Sequence, residues 1–233
     1  MVPERMDDPE TPRAELEASL RFIRAINRRL GGTRALIDRL ERWSARWPRG
    51  KPVRLIDLGA GSADIPVAVR RWATLRGHDV RVTAVELHPT TAQLAREYVA
   101  EKEEIGGVEV IEHDALALTD RFPPGSFDYA HAGMFLHHFN DVEVLTLLRI
   151  MDRLAERGVV WNDLLRGRLP RLGVRLLTAR APEIVRHDAR ASVDKGFTKS
   201  EAVDLARRVD LGWLRWSASP LAGRFTLAGE RPV

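Results

Sequence analysis

Two of the seven histidines, His137 and His138, stand side by side in the stretch F-L-H-H-F. An imidazole titrates at about pH 6.5 when unperturbed, so such a pair can take a proton from an oxygen nucleophile near neutrality. A carboxylate behind the ring would orient it and stabilise its charged form. Asp163, in N-D-L, is the candidate for that role. The same histidines can instead cap the helix that begins after them. A second chemical feature is V-R-L-I-D-L-G-A-G-S-A-D-I-P-V, from Val53 to Val67. Gly59 and Gly61 can reach positive φ at little cost and let a ligand touch the main chain. A dinucleotide cradle wants G-x-G-x-x-G, but Asp64 occupies the third glycine slot. The text reads D-x-G-x-G instead, with Asp57 as its acid and Ala63 as the next small residue. Glu86 ends V-R-V-T-A-V-E, where a carboxylate can accept the ribose hydroxyls of an adenosyl ligand; a solvated acid is the plain alternative.

These groups must be held by alternating strands and helices. Val53 to Leu58 is a short apolar run of strand type. The glycine turn follows, then a helix capped by Asp64, with Pro66 in its first turn. The second strand lies within His78 to Glu86 and is followed by a helix from Ala92 to Glu103, broken at Gly106-Gly107. Val108 to Ile111 is the third strand. The fourth is F-D-Y-A-H-A-G-M, entered through Pro123-Pro124-Gly125-Ser126. A helix from Asp141 to Leu154 leads to a fifth strand that reaches Asn162-Asp163-Leu164. Thr198-Lys199-Ser200-Glu201 is a capping box opening a helix to Arg208. Gly212 to Ser217 and Arg224 to Ala228 are two further strands. Upstream, residues 1–12 read as disordered. Glu15 to Leu30 and a second helix through Leu36, Leu40, Trp43 and Trp47 form a helical pair. Between them Gly31-Gly32 stops the first helix and Thr33 caps the second. Asn27 shares the apolar stripe of the first helix, either exposed or reaching into a ligand cavity.

In that order, D-x-G-x-G, the second-strand Glu86, H-D-A, F-L-H-H-F and N-D-L resemble the class I S-adenosylmethionine (SAM) dependent methyltransferases, in particular their small-molecule, natural-product and ubiquinone/menaquinone-type branch. The marks run from about Val53 to Asp163. The resemblance implies an α/β, doubly wound, seven-stranded and mostly parallel Rossmann-like sheet, its seventh strand antiparallel. Residues 1–50 would be an N-terminal helical cap, residues 51–233 the methyltransferase domain, and 164–197 a substrate lid carrying Leu169, Leu172, Leu176 and Leu177. It implies SAM as cofactor, held by Asp57, Gly59, Gly61, Glu86, Leu87, Asp114, Ala115 and Ala132. His137, His138 and Asp163 would be catalytic, and Asn162 and His187 would meet the substrate.

Composition narrows the alternatives. There is no cysteine, which excludes disulfides, thiolate zinc sites and cysteine-nucleophile pyrimidine methylation. The acids and asparagine of a catechol-type metal site are not evident, so no metal is expected. No apolar run approaches the roughly 20 residues of a membrane span, so a cytoplasmic protein is expected. The net charge of +4 comes with 37 basic and 33 acidic residues, which reads as charge spread over solvated faces rather than a nucleic-acid surface. The expected partner is a small, fairly apolar molecule methylated at oxygen, with the oligomeric state left open. Arginines at 166, 168, 171, 175, 180, 186 and 190 keep an RNA-binding methyltransferase or a non-catalytic SAM-binding protein as the alternative, distinguished by salt-dependent RNA binding.

Overall fold

A computed structural model of the chain describes residues 4–48, 50–102 and 106–232. Its elements are α1 (Arg13–Arg29), α2 (Gly32–Ser44), β1 (Val53–Leu58), α3 (Asp64–Leu75), β2 (Val80–Glu86), α4 (Pro89–Ala100) and β3 (Val108–Glu112). Then come α5 (Leu118–Arg121), β4 (Phe127–Gly133), α6 (Asp141–Leu154), β5 (Ala155–Leu164), α7 (Arg168–Leu177), α8 (Glu183–Lys195), α9 (Lys199–Arg207), β6 (Arg215–Ser219) and β7 (Arg224–Glu230). One seven-stranded sheet runs β3-β2-β1-β4-β5-β7-β6. All pairings are parallel except those of β7, which is antiparallel to both β5 and β6. The chain reverses direction across the sheet between β1 and β4. At such a switch point the helices diverge and leave a crevice beyond the carboxyl ends of the strands.

The central strands are buried on both faces and are accordingly continuous apolar runs. One face packs β1, β4 and β5 against α6 and α9. The other packs Val53, Leu55, Tyr129 and Val160 against Leu36, Leu40 and Trp43 of α2 and Val69 and Trp72 of α3. Trp43 stacks on Tyr129 at 5.2 Å. Helix α2 thus shares the core of the sheet, and α1 lines the cavity at its carboxyl edge. Local signals set several boundaries. Asn140 and Glu143 form a reciprocal capping box at α6, and Thr198 and Glu201 form one at α9, each satisfying two otherwise orphaned N–H groups.

Several expected boundaries shift. Residues 4–8 are ordered rather than disordered, because Asp188 of α8 accepts hydrogen bonds from the amides of Arg5 (2.8 Å) and Met6 (3.0 Å); Met1 to Pro3 lie outside the described residues. Gly31, in the left-handed conformation, is the N-cap of α2, and neither Thr33 nor Asp64 caps its helix. Ala63, at φ +56°, precedes α3, and Asp64 is its first residue. His88 caps α4 by accepting from the amide of Thr91, so α4 starts at Pro89. It ends at Ala100, and the expected end at Glu103 lies outside the described residues. The sixth strand starts at Arg215, because residues 211–214 form a turn closed by Leu214 N–H to Leu211 C=O.

Candidate active site

A cavity of about 820 Å³ opens at the switch point. Its floor is the carboxyl edge of the sheet: Asp57, Gly59, Gly61, Glu86, Leu87 and Glu112 on one side, Gly133, Met134, Phe135, His137 and His138 on the other. Helix α1 contributes Phe22, Ile26 and Asn27, α7 contributes Leu169 and Leu177, and α8 contributes Val185 and Ser192. The N-terminal segment closes one flank with Glu4, Met6 and Asp7.

The glycine turn is shaped as its composition requires. Gly59 (φ +63°) and Gly61 (φ +53°) both take the left-handed conformation. Glu86 braces the turn: Oε2 accepts from the amide of Gly61 and Oε1 from the amide of His88, both at 3.0 Å. Burial pushes its pKa up, against these backbone hydrogen bonds. Asp57 is buried and accepts a 2.6 Å hydrogen bond from His131 Nδ1. The in-register pairing of Asp57 with His131 across β1 and β4 makes that contact.

Across the cavity, His137 Nδ1 donates to Asp163 Oδ1 at 2.6 Å, both side chains fully buried. Asp163 also accepts from Trp161 Nε1 and from the amide of Leu164. The other ring nitrogen, Nε2, stands 3.6 Å from Glu4 Oε1, an ion-pair distance too long for a hydrogen bond, and has no hydrogen-bond partner. Glu4 pairs in turn with Lys195 at 3.3 Å. Burial alone would lower the pKa of His137. Asp163 and then Glu4 outweigh it and push the pKa up to about 10. Burial likewise works to raise the pKa of Glu4, and His137, His138 and Lys195 pull it down to about 2. The His138 ring lies tilted by 33° against the His137 ring, with centroids 4.4 Å apart, and binds Asp7 through Nδ1 at 2.9 Å.

The structure brings together most of the expected residues and separates five. Asp57, Gly59, Gly61, Glu86, Leu87, His137 and His138 line the cavity, with Asp163 behind His137. Asp114 does not line it: its exposed side chain caps the turn at 115–117 by accepting from the amide of Leu116. Ala115 and Ala132 are buried in the core instead. Asn162 is turned toward β7, donating to Phe225 C=O and Thr226 Oγ1. His187 meets Asp188 and does not line the cavity. Sequence reasoning missed Glu4, Asp188, Lys195 and Arg224, and it read His131 only as a mid-strand residue. Of these, only His131 carried a local signal: a polar residue within an otherwise apolar strand.

The ion pair makes stability depend on pH in a defined direction. The folded pKa of His137 lies above its unfolded value of about 6.5. Its contribution is therefore complete below about pH 6.5 and is lost as the pH rises through about 10. The thermal midpoint is expected to fall across this window. In Glu4→Gln the fall should still begin near about pH 6.5 but be smaller and end at lower pH, since one of the two carboxylates holding the proton is gone. Superimposable wild-type and Glu4→Gln pH profiles would show that Glu4 does not hold that proton.

A family model described as a methyltransferase domain matches residues 55–158. No curated protein matches the chain. Among solved structures, the fold is similar to magnesium protoporphyrin IX methyltransferase (ChlM) from Synechocystis PCC 6803 with bound SAH, at TM-score 0.60 and 12% identity over 88% of this chain and 85% of that one. The S-adenosylmethionine-dependent methyltransferase SibL, in its apo form, superposes at TM-score 0.59 with 21% identity, covering 78% of this chain and 51% of its own. The CurJ carbon methyltransferase does so at TM-score 0.61 with 8% identity, covering 82% and 51%. The chain spans about half the length of the last two. Taken with the strand order and the switch-point cavity, the comparisons show that the chain has the Rossmann-like α/β fold of these solved methyltransferases, and residues 55–158 are similar to the methyltransferase-domain model.

Proposed function

We propose that this chain transfers a methyl group from S-adenosyl-L-methionine to an oxygen of a small, largely apolar metabolite. The observation that carries this reading is one cavity with two unlike ends: a glycine turn braced by a carboxylate at one, a buried His–Asp pair amid apolar walls at the other. The first end fits an adenosyl cofactor. Gly59 leaves no room for a side chain beneath Phe135, and Glu86 keeps lone pairs beyond the two it gives to backbone amides. When bound, the cofactor supplies an electrophilic methyl carbon on a positively charged sulfur.

The chain's own residues bind, orient and exclude water. Helices α7 and α8 cover the acceptor end in this reading, which keeps water from competing for the methyl group and fixes the in-line approach. His137 enters as a cation. With its pKa near 10 it holds its proton at neutral pH, so the general-base role expected from an unperturbed imidazole gives way to donation from Nε2 toward the acceptor oxygen. Asp163 holds the opposite nitrogen and fixes the ring's orientation.

Calorimetric titration with S-adenosyl-L-homocysteine (SAH) tests the cofactor half. Glu86→Ala is expected to weaken binding by about 1.5–3 kcal/mol for each charge-assisted hydrogen bond lost, or about 10- to 150-fold. Absence of SAH binding to the wild type at high micromolar concentration would overturn the reading.

A further inference from the structure

Arg224 is only 4% exposed, yet it lines the cavity. As the first residue of β7 it pairs across the sheet with Leu164, the residue after Asp163, so it stands at the same carboxyl edge as Asp163 while its side chain lies on the opposite face, with Asn162 and Asn27. Its hydrogen-bond partners are all neutral. Nη1 donates to Asn162 Oδ1 at 3.2 Å, and Nη2 to Asn27 Oδ1 at 2.9 Å and toward Met134 Sδ. Nε is buried with no acceptor. Among the described residues no carboxylate forms an ion pair with it. The two nearest by charge, Asp163 and Asp64, are already engaged, the first with His137 and the second with Asn27 and Ser62. Burial brings the guanidinium's pKa down to about 10, against those two carboxylates, which leaves it charged at neutral pH. A buried charge without a counter-charge is costly unless something else meets it. Two asparagines hold this one in place rather than neutralise it.

We infer that Arg224 receives an oxyanion of the acceptor, so that the molecule methylated here carries an acidic hydroxyl (an enol, a phenol or a carboxylic acid) on an apolar body. The inference rests on the methyltransferase reading above and names its substrate class. Asn162 and Asn27 act as positioning residues for the guanidinium. The acceptor enters ionised, its proton left to solvent, so the site needs no base. The oxyanion forms the new bond to the methyl carbon, the carbon–sulfur bond breaks, and its electron pair stays on the sulfur. One negative and one positive charge are lost together. The carboxylate of the cofactor's own amino-acid end has the same chemistry. Position favours the acceptor, because the turn just before Arg224 packs on α7, with Gly223 against Pro170, and α7 covers the acceptor end in this reading.

The test uses laurate and 1-dodecanol, which share a chain and differ in head-group charge, titrated at pH 7.5 into protein saturated with SAH. The wild type is expected to bind laurate at least tenfold more tightly than dodecanol. Arg224→Met should erase the preference, and Arg224→Lys should keep part of it. Equal wild-type affinities would overturn the inference whether or not any variant folds. SAH and 5′-methylthioadenosine, which lacks the carboxylate, are titrated alongside. If Arg224→Met weakens SAH tenfold and leaves methylthioadenosine unchanged, the arginine serves the cofactor and the assignment to the acceptor is overturned. Failure of SAH to bind the wild type would instead remove the cofactor reading, while the laurate preference would still report on the arginine.

Discussion

Asp163→Ala should cost the folded protein about 3–5 kcal/mol, the usual penalty for removing one partner of a buried ion pair. The substitution leaves the His137 imidazolium facing Glu4 alone. It also leaves Trp161 Nε1 and the amide of Leu164 without their side-chain acceptor. Denaturant melts would read the loss as a lower midpoint at unchanged slope. Asp163→Asn is the milder companion: it can still accept a hydrogen bond but cannot hold the proton on the ring. Turnover should then fall by about 10²–10⁴-fold, the range for losing a positioned proton-bearing group, with SAH affinity near wild type. His137→Gln should match it. His138 is partly exposed and bound to Asp7, so His138→Gln should cost much less. Wild-type stability in Asp163→Ala would mean that the pair is not ionised. Full turnover in Asp163→Asn and His137→Gln would make the pair structural.

The second large effect is expected at Gly59. A Cβ built there would lie 2.0 Å from Cδ2 and 2.3 Å from Cγ of Phe135, well inside any permitted contact, and the backbone is left-handed as well. Gly59→Ala should therefore drive the Phe135 ring out of place and abolish detectable SAH binding. Gly61 differs. Its Cβ would meet no atom of the chain closer than Leu20 Cδ2 at 3.8 Å, so the folded chain should lose only the backbone strain in Gly61→Ala, about 1–3 kcal/mol of stability, and a loss of SAH affinity would come from the methyl group standing in the cavity that Gly61 and Leu20 line. The sequence motif gives the two glycines the same role, a main chain left open to a ligand; within the folded chain only Gly59 is also pressed by a side chain, that of Phe135. A double variant, Gly59→Ala with Phe135→Ala, should recover part of the lost affinity because it removes the colliding ring. No recovery in the double variant would locate the damage in the backbone turn itself.

How much of this was legible beforehand depends on the range of the signal. Strand β1, the glycine turn, α6 with its capping box and α9 with its own follow from neighbours within a few residues, where periodicity and capping chemistry act. Glu86 and Gly61 belong to consecutive strand–turn units of one repeating pattern, which put both at one edge; the hydrogen bond between them was not read from it. Even the meeting of His137 with Asp163 was foreseeable, since adjacent parallel strands bring their carboxyl ends to the same edge. Some boundaries shifted by local capping, as at Gly31, Ala63 and His88, and the order of residues 4–8 was missed because the group that holds them, Asp188, lies far along the chain.

By itself the sequence determined the alternation of strands and helices, the edge where ligands meet the chain, and the residue types gathered there. Tertiary structure decided the charge state of that edge. Glu4 meets Lys195 across 191 residues and Arg224 meets Asn27 across 197, distances over which no periodic pattern carries information. Whether His137 is a base or a cation, and whether Arg224 is a solvated side chain or a buried charge awaiting an anion, is set by burial and by the nearest carboxylate. Both are properties of packing, because a charge loses its water and gains its partner only when distant segments close over it.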